Sequence, residues 1–377
     1  MANDRIPFTR VHMTGREIDY IREAIDGNRL GGDGVFSKRC EAWLEATTGS
    51  ARALLTHSCT AALEMAAILA DVKAGDEVIM PSFTFVSTAN AFVLRGATPV
   101  FVDIDPETLN LDAELVEQAV TSQTRAIVPV HYAGVGCDME ALLKIGRNAN
   151  AMVIEDAAQA LLADWRGRPL GSIGSMAALS FHETKNVTSG EGGCLLINDP
   201  ALVERAEIVR EKGTNRSRFH RGQVDKYTWV DIGSSFLPSE LTAAFLLAQL
   251  EESEQITAAR RRVWDGYHEM LKPLETEGLL QRPRTGGANA HIYFVLLPSL
   301  EKRSETIEAL KANGVSAVFH YVPLHSSPAG LKYGRVAGPL PVTDDISDRL
   351  LRLPLWPDMT KDEVTSVVEL MRVSLRR

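Results

Sequence analysis

The first ~250 residues alternate short apolar runs with longer stretches of helical periodicity. Three of the longer stretches predict helices at Thr60–Ala70, Ala113–Val120 and Ala201–Lys212. The short runs are bordered by Gly, Pro, Asp or Ser, which is typical of buried strands. They are Arg52–Leu55, Glu77–Met80, Pro99–Asp103, Ala126–Val130, Met152–Glu155, Ala177–Phe181 and Gly193–Asn198. This alternation predicts an α/β fold whose mainly parallel sheet is covered by helices on both faces.

The pattern changes after residue 250. A charged helix is predicted at Glu251–Leu271, and a Pro/Gly-rich stretch follows it at 283–287. A strand (Ile292–Leu297), a helix (Ser304–Ala312) and a second strand (Val315–Tyr321) come next. We therefore expect two domains, a large one at 1–250 and a smaller α+β domain at 251–377.

Composition and charge narrow the classes of function. The 377 residues are 45% hydrophobic and 24% charged, which is typical of a folded, soluble chain. No apolar run approaches the roughly 18 to 20 residues that a membrane helix needs, and no apolar segment behind Met1 predicts a signal peptide. The four cysteines show no CxxC spacing, so we expect no metal site and a cytoplasmic enzyme with reduced thiols.

The formal net charge of −9 bears on the choice of partner. It disfavours nucleic acid, because phosphate backbones require broad positive surfaces. An anionic small substrate remains compatible with this charge if the cations that bind it are local. We therefore look for chemistry in a cavity rather than on a charged surface.

Polar residues follow two of the predicted strands, where ligands bind in open α/β sheets. Thr56–Leu63 joins a strand to a helix, and the free N–H groups at a helix start suit a phosphate. The alternative is that Ser58 or Thr60 only caps the helix. Pro81–Thr88 places two aromatic residues at a similar junction, where they either stack on a flat ligand or pack in the core.

Two further segments carry ionisable groups. Val153–Gln159 is an apolar strand that ends in two carboxylates, and Asp156 either faces a ligand or is an ordinary strand-end acid. Lys185 follows another strand, close to a glycine-rich turn at 190–193. A lysine that loses its proton can form a Schiff base, although a solvated loop lysine is commoner.

These four segments together supply what pyridoxal 5′-phosphate (PLP) requires. They offer a helix start that can bind the phosphate (the phosphate cup) and an aromatic residue that can stack on the ring. They also offer an acid for the pyridinium nitrogen and a lysine for the aldehyde. Motifs of competing chemistries (GxGxxG, GxxxxGK[ST], HExxH and GxSxG) are absent from the sequence.

The same residues make the chain resemble the DegT/DnrJ group of sugar aminotransferases over nearly its whole length. The marks of this group are Gly31–Gly34, Pro81–Phe85, Glu155–Gln159, Ser180–Lys185 and Gly190–Gly193. The resemblance implies the aspartate-aminotransferase type I fold of PLP-dependent transferases, with a mixed seven-stranded sheet and a smaller C-terminal α+β domain. It also implies a homodimer with active sites at the subunit interface.

The resemblance assigns roles around the cofactor ring. Lys185 would form the Schiff base with the cofactor aldehyde and move the proton during transfer. Asp156 would pair with the pyridinium nitrogen and keep it protonated. Phe85 would stack on the ring, and Gln159 would contact the ring hydroxyl group.

The resemblance also implies how the phosphate is held. Backbone N–H groups of Thr60 and Ala61 would bind it, with help from Ser180. Many members of the group reach the neighbouring subunit's phosphate with an asparagine in a Gly-x-Asn-x-Arg run. This chain departs from that pattern, because Gly233–Leu237 has Ser235 at the corresponding place. Ser235 would replace the asparagine with a shorter side chain.

The implied reaction moves an amino group from glutamate to C4 of dTDP-4-dehydro-6-deoxy-D-glucose. One alternative is another nucleotide-linked keto sugar, and a second is a PLP-dependent sugar dehydratase. Dehydratases of the group replace the lysine with histidine, so Lys185 favours transfer. A non-catalytic module on the same fold is a third alternative.

The diphosphate of such a substrate requires cations. We hypothesise that Arg216 and Arg218 contact it and that His320 also lines the site. The alternative for Arg216 and Arg218 is that they belong to a solvated charged loop, and the alternative for His320 is a purely structural role.

Overall fold

The computed structural model describes residues 6–376 of the chain. Its strands are β1 Arg52–Thr56, β2 Glu77–Pro81, β3 Thr98–Val102, β4 Thr124–Ile127, β5 Met152–Asp156, β6 Asp164–Trp165, β7 Arg168–Pro169, β8 Met176–Ser180, β9 Gly193–Ile197, β10 Tyr293–Leu296, β11 Val318–Phe319, β12 Arg335–Val336 and β13 Leu350–Leu353. Its α-helices are α1 Glu17–Asp26, α2 Val35–Thr48, α3 Cys59–Leu69, α4 Val86–Val93, α5 Ala113–Ala119, α6 Met139–Ala149, α7 Val203–Arg210, α8 Arg216–His220, α9 Glu240–Glu251, α10 Ser253–Met270, α11 Lys272–Thr276, α12 Leu300–Ala312, α13 Pro328–Tyr333, α14 Pro341–Arg349 and α15 Lys361–Leu375.

Eight strands form the large sheet, in the order β1-β9-β8-β5-β4-β2-β3-β12. Strand β9 is antiparallel to both of its neighbours, and the other pairs are parallel. The seven strands expected from the sequence all lie in this mixed sheet. The eighth, β12, was not predicted, because a strand of two residues leaves no recognisable pattern. The carboxyl ends of seven of the eight strands therefore share one edge.

The sheet separates two hydrophobic clusters, because successive side chains of a strand point to opposite faces. Leu54 belongs to one cluster and Leu55 to the other, and Val78 and Ile79 alternate in the same way. Helix α3 covers the first face, and helices α2, α6 and α9 cover the second. This arrangement confirms the layered α/β architecture predicted from the sequence.

The C-terminal residues form a second, three-stranded sheet in the order β10-β13-β11. The strand expected at 315–321 is reduced to β11, because Tyr321 adopts a φ of 54° that a strand cannot continue through. The helix expected at Ser304 begins earlier, at Leu300, where the Ser299 side chain caps it. The division at residues 250 and 251 stays a prediction. No helix within residues 6–376 has the length and apolar character needed to cross a bilayer.

A buried carboxylate fixes the end of β5. Glu155 accepts a hydrogen bond from Nε2 of His131 at 2.8 Å, since the N–H of Cys137 donates to Nδ1 and leaves the proton on Nε2. It also accepts from backbone N–H groups at 2.6 to 2.8 Å, those of Gly171, Ile173 and Gly174. Burial opposes ionisation, but these donors outweigh it and hold the pKa of Glu155 below its ordinary value. The bonds fix the position of the next residue, Asp156.

We predict that Glu155→Gln destabilises the fold by about 3 kcal/mol or more, because the amide cannot accept all four buried hydrogen bonds. Urea unfolding of the variant and the unchanged protein measures this difference. Glu140→Gln is the control, since Glu140 is an exposed carboxylate paired with Arg166 and its loss costs less than about 1 kcal/mol. Equal stability of the two variants would contradict the bracing role of Glu155.

Candidate active site

A cavity of about 740 Å³ lies at the carboxyl edge of the large sheet. Since β1, β2, β5 and β8 run in the same direction, the segments that follow them meet at this edge. These segments line the cavity with Ser58, Cys59, Thr60, Thr84, Phe85, Thr88, Asp156, Gln159, Ser180 and Lys185. C-terminal residues complete the wall, among them Arg260, His291, His320, Tyr321 and Arg352.

Asp156 ends β5 and lies in the wall of this cavity. Its Oδ2 accepts a hydrogen bond from Oγ1 of Thr88 at 2.7 Å, and its Oδ1 accepts one from the N–H of Ala158 at 3.2 Å. Burial raises the pKa of Asp156, although the hydrogen bond from Thr88 and the charge of Lys185 oppose the rise. A buried carboxylate of this kind is best stabilised by a cationic partner, such as a protonated ring nitrogen.

Lys185 lies in the turn after β8, where its backbone N–H donates to the carbonyl of His182 at 2.9 Å. Its side chain lines the cavity, and its Nζ makes no hydrogen bond or ion pair with the part of the chain that the structure describes. Burial lowers the pKa of Lys185, and the charge of Asp156 offsets only part of this effect. An unpaired amine with a lowered pKa has the character of a nucleophile.

The start of helix α3, where the sequence predicts a phosphate cup, borders the cavity. Thr60 lines the cavity, its Oγ1 lies 2.8 Å from Oγ of Ser87, and its N–H has no partner among residues 6–376. The N–H of Ala61 donates to the capping Oγ of Ser58 at 3.1 Å. The capping interpretation therefore holds for Ser58, while Thr60 still offers a free donor. A contact between the N–H of Ala61 and the phosphate stays a prediction. This contact requires the N–H to be shared between the phosphate and Oγ of Ser58.

Gly193 allows this cup to lie against the sheet. It pairs with Thr56 on one side and with Ser180 on the other. A Cβ at Gly193 would lie 2.3 Å from the carbonyl carbon of Ser58, closer than any side chain tolerates. The glycine therefore brings Ser180 beside the start of α3.

Phe85 and Gln159 lie on the same cavity. The ring of Phe85 is 58% exposed and makes no ring contact within residues 6–376, so a flat ligand can cover it. Oε1 of Gln159 accepts from the N–H of Ala133 at 2.7 Å, and its Nε2 donates to Oη of Tyr321 at 2.8 Å. The second hydrogen of Nε2 remains for a ligand hydroxyl group.

His320 and Tyr321 close the cavity from the C-terminal side. Nδ1 of His320 lies 2.8 Å from Oη of Tyr132, and burial lowers the pKa of His320 well below its ordinary value. The ring of Tyr321 stacks on His320 with centroids 3.7 Å apart. Tyr321 holds this place with a left-handed backbone conformation, which is costly and concentrates at functional sites.

The donor set of this cavity fits PLP. Within residues 6–376, the carboxylate of Asp156 is buried without a bound cation, and the amine of Lys185 has no hydrogen-bond partner. The ring of Phe85 is exposed, and the start of helix α3 offers the free N–H group of Thr60. We propose that Asp156, Lys185, Phe85 and Thr60 meet the ring nitrogen, aldehyde, ring face and phosphate in that order. No group of His, Cys, Asp or Glu side chains within residues 6–376 could hold a metal ion.

Four of the expected site residues do not line this cavity, namely Ala61 and the three described here. Ser235 is exposed and lies beside Glu211 through a backbone bridge, so a contact with a neighbouring subunit stays a prediction. Arg216 and Arg218 lie on the short helix α8, where they pair with Glu211 at 3.5 Å and Glu204 at 3.1 Å. Within one chain these arginines lie outside the cavity, and their contact with the substrate diphosphate stays a prediction.

Sequence reasoning missed two other arginines, Arg260 and Arg352. Arg260 is buried and donates to three backbone carbonyls, those of Ala290, His291 and Leu355. Burial lowers the pKa of Arg260 to about 9. The guanidinium carbon of Arg352 lies 4.6 Å from the centroid of the Phe8 ring. They give the cavity two guanidinium groups in a protein of net charge −9, which are local cations of the kind that an anionic substrate requires.

Comparison with known proteins agrees with this geometry. Residues 11–372 match the model of the DegT/DnrJ/EryC1/StrS aminotransferase family. GDP-perosamine synthase from Caulobacter vibrioides is 33% identical over 372 residues, which are 97% of this chain and 96% of that protein. The spore coat polysaccharide biosynthesis protein SpsC from Bacillus subtilis is 33% identical over 380 residues, covering 98% of this chain and 97% of the relative.

Solved structures share the whole fold. The PLP form of Spr1654 from Streptococcus pneumoniae, described as a sugar aminotransferase, superposes with a TM-score of 0.89 and 26% identity over 98% of each chain. An aminotransferase of the same family from Brucella abortus superposes with a TM-score of 0.87 and 28% identity over 96% of each chain. These likenesses extend beyond the large sheet to the C-terminal part of the chain.

We predict that Thr88→Val weakens cofactor binding about tenfold, because a hydrogen bond to a charged group is worth about 1.5 to 3 kcal/mol. Loss of this donor also raises the pKa of Asp156 further. Titration of the apo-protein with PLP, followed by absorbance, gives the dissociation constant. Thr257→Val is the matched control, since the hydroxyl group of Thr257 has no partner within residues 6–376. Unchanged affinity in Thr88→Val would contradict the role of Asp156.

The lowered pKa of Lys185 predicts the pH dependence of cofactor capture. Only the neutral amine attacks an aldehyde, so the rate rises with pH and levels off above the pKa of Lys185. We expect the midpoint of this rise below about 10.4, the ordinary value for lysine. Stopped-flow mixing of apo-protein with PLP measures the profile, and Nα-acetyl-lysine is the reference. A midpoint at or above that of the reference would show that burial does not tune Lys185.

Proposed function

We propose, from the premise that this chain belongs to the DegT/DnrJ/EryC1/StrS aminotransferase family, that it aminates C4 of dTDP-4-dehydro-6-deoxy-D-glucose. The amino group comes from glutamate, and the products are dTDP-4-amino-4,6-dideoxy-D-galactose and 2-oxoglutarate. The chain is a PLP-dependent sugar aminotransferase. To this general activity the proposal adds the identity of the amino donor, the nucleotide, the sugar and the carbon atom that receives the amine.

The observation that carries the proposal is the unpaired amine of Lys185 in one cavity with the buried carboxylate of Asp156. PLP, when bound, supplies an electron sink for the carbon next to the reacting nitrogen. Neutral Nζ of Lys185 takes the proton from Cα of the amino donor, and in the second half-reaction Lys185 delivers a proton to C4 of the sugar. Asp156 keeps the ring nitrogen protonated, and Phe85 shields one ring face from water.

The charges of the cavity support anionic substrates. The guanidinium groups of Arg260 and Arg352 line it, and the carboxylates in its wall are Asp156 and Glu191. Glutamate brings two carboxylates, and a nucleotide-linked sugar brings a diphosphate. Both substrates therefore find guanidinium groups in the cavity of an acidic protein.

Three stretches support the particular sugar, because they resemble the dTDP-4-amino-4,6-dideoxygalactose transaminase of enterobacterial common antigen synthesis. They are Val128–Gly134, Glu211–Ser217 and Asp225–Trp229. A relative named GDP-perosamine synthase supports a nucleotide-linked sugar with another base. Another keto sugar is therefore the second candidate. Lys185 disfavours a sugar dehydratase, since dehydratases of the group have histidine there.

The remaining proposals concern the setting of the enzyme. We infer a cytoplasmic homodimer that serves surface polysaccharide synthesis, such as that of lipopolysaccharide or enterobacterial common antigen. The spore coat polysaccharide relative supports the class of pathway. In such a dimer Ser235, which is exposed here, would approach the neighbouring subunit's phosphate.

Incubation with glutamate and a panel of keto-sugar nucleotides tests the proposal. The panel varies the base (dTDP, UDP, GDP) and the position of the ketone (C3 or C4), and NMR assigns the product. We expect the dTDP-linked 4-keto-6-deoxy sugar to be aminated most efficiently, with an axial amine at C4. A different preferred nucleotide or ketone position would contradict the particular substrate and leave sugar amination intact.

We predict that Lys185→Ala lowers amine transfer by at least about a thousandfold, because it removes both the nucleophile and the proton carrier. Product formation over hours measures the residual rate. Lys311→Ala is the control, since Lys311 is 70% exposed on helix α12 and should retain full activity. Comparable activity in the two variants would contradict the proposal.

A further inference from the structure

The hydrogen bonds around His291 determine which nitrogen of its ring carries the proton. Nδ1 of His291 lies 2.9 Å from Oδ1 of Asn186. Asn186 directly follows Lys185 and donates through Nδ2 to the carbonyl of Asn289 at 2.6 Å. A carbonyl oxygen only accepts, so the amide of Asn186 cannot be turned the other way round. Its Oδ1 therefore faces His291 and requires the proton on Nδ1 of the ring.

Nε2 of His291 is consequently an acceptor at the wall of the active-site cavity. The ring is neutral, because burial and the charges of Lys185, Arg260 and Arg352 lower its pKa well below the ordinary value. Nε2 therefore carries no proton, and it makes no hydrogen bond with residues 6–376. Only 5% of the residue is exposed. An unpaired acceptor in such a place calls for a donor from the cavity.

A small pocket brings Lys185 close to this acceptor. Its volume is about 10 Å³, about the size of one water molecule, and Lys185, Asn186, Asn289 and His291 are among the residues that line it. The charge of Lys185 lowers the pKa of His291, so the two side chains lie within electrostatic reach of each other. An amine group is about as large as a water molecule. The pocket therefore has room for Nζ of Lys185 next to His291.

The proposed chemistry turns Lys185 into a donor that needs an acceptor. When neutral Nζ takes the Cα proton of the amino donor, the C–H bond breaks and its electron pair passes to the bound cofactor. Nζ then becomes an ammonium group with three N–H donors. Asp156 is engaged with the ring nitrogen in the proposed arrangement, whereas Nε2 of His291 has no partner within the described residues.

We propose that Nε2 of His291 accepts a hydrogen bond from Nζ of Lys185 while this amine is not linked to the cofactor. His291 is thus a positioning residue, which holds the amine where it exchanges a proton with the substrate. Asn186 has an indirect part, because it keeps the proton on the other ring nitrogen. The inference rests on the proposed function in one respect, namely that an amino acid gives its Cα proton to Lys185.

Nitrogen-15 NMR of the PLP-loaded protein, with labelled histidine, tests the tautomer without any turnover. The signals of His291 are those that His291→Gln removes. At neutral pH we expect a protonated Nδ1 and an unprotonated Nε2. A proton on Nε2 would overturn the inference, because this nitrogen would then be a donor itself.

Stopped-flow mixing of the PLP-loaded protein with glutamate measures the first half-reaction without any sugar. In His291→Leu we expect the saturating rate to fall about tenfold, since a hydrogen bond to a charged group is lost. The half-saturating glutamate concentration should change less than about twofold. Deuterium at Cα of glutamate should slow the variant at least as strongly as the unchanged protein. His291→Gln keeps an acceptor oxygen and should recover part of the rate.

His268→Leu is the matched control. His268 is a half-buried histidine whose pKa is lowered by burial, and it lies outside the cavity. Its ring stacks on Trp264 with centroids 4.8 Å apart. This variant should keep both the saturating rate and the half-saturating glutamate concentration. PLP content, read from absorbance, shows whether each variant is folded and loaded.

Three kinetic results would overturn the inference. The first is an equal saturating rate in His291→Leu and His268→Leu, and the second is a loss seen only in the half-saturating concentration. The third is a loss confined to transfer onto the sugar, because Nε2 would then serve a sugar hydroxyl group. The proposed function fails in a different way, when the unchanged protein takes the amine from glutamate and passes it to no nucleotide-linked sugar.

Discussion

The site depends on two ionisable groups, Asp156 and Lys185, that line one cavity. Burial raises the pKa of Asp156 and lowers the pKa of Lys185, so each group is shifted toward its neutral form. The two also interact through their charges, which keeps both shifts smaller than burial alone would make them. A ligand with a protonated nitrogen at one end and an electrophilic carbon at the other satisfies both groups at once. The remaining features of the fold hold these two groups in position.

The positioning begins with the direction of the strands. Strand β9 pairs antiparallel on both sides, so β1 and β8 run the same way and present the cup of α3 and Lys185 at one edge. Glu155 and its four donors then fix the end of β5 one residue before Asp156. The C-terminal residues contribute two guanidinium groups to the cavity, those of Arg260 and Arg352. In this way an acidic protein offers guanidinium groups to anionic substrates inside its cavity.

The sequence predicted the large sheet well, because its strands are continuous apolar runs between turn residues. It also indicated Asp156, Lys185 and the cup at Thr60, since each directly follows a strand and parallel strands bring such positions together. It could not indicate Arg352 or Arg260, because no motif marks an arginine whose importance comes from the packing of a distant helix or strand. It did not show the carboxylate partners of Arg216 and Arg218, which become visible only when α7 and α8 are in place, and a substrate contact from these arginines stays a prediction.

The central claim is that Lys185 carries the cofactor in a covalent link. Reduction of the PLP-loaded protein with borohydride, followed by proteolysis and mass spectrometry, tests this claim without any substrate. We expect one pyridoxyl adduct per chain, located on the peptide that contains Lys185 and lost on addition of excess glutamate before reduction. An adduct on another lysine, or a protein that retains no PLP, would contradict the account.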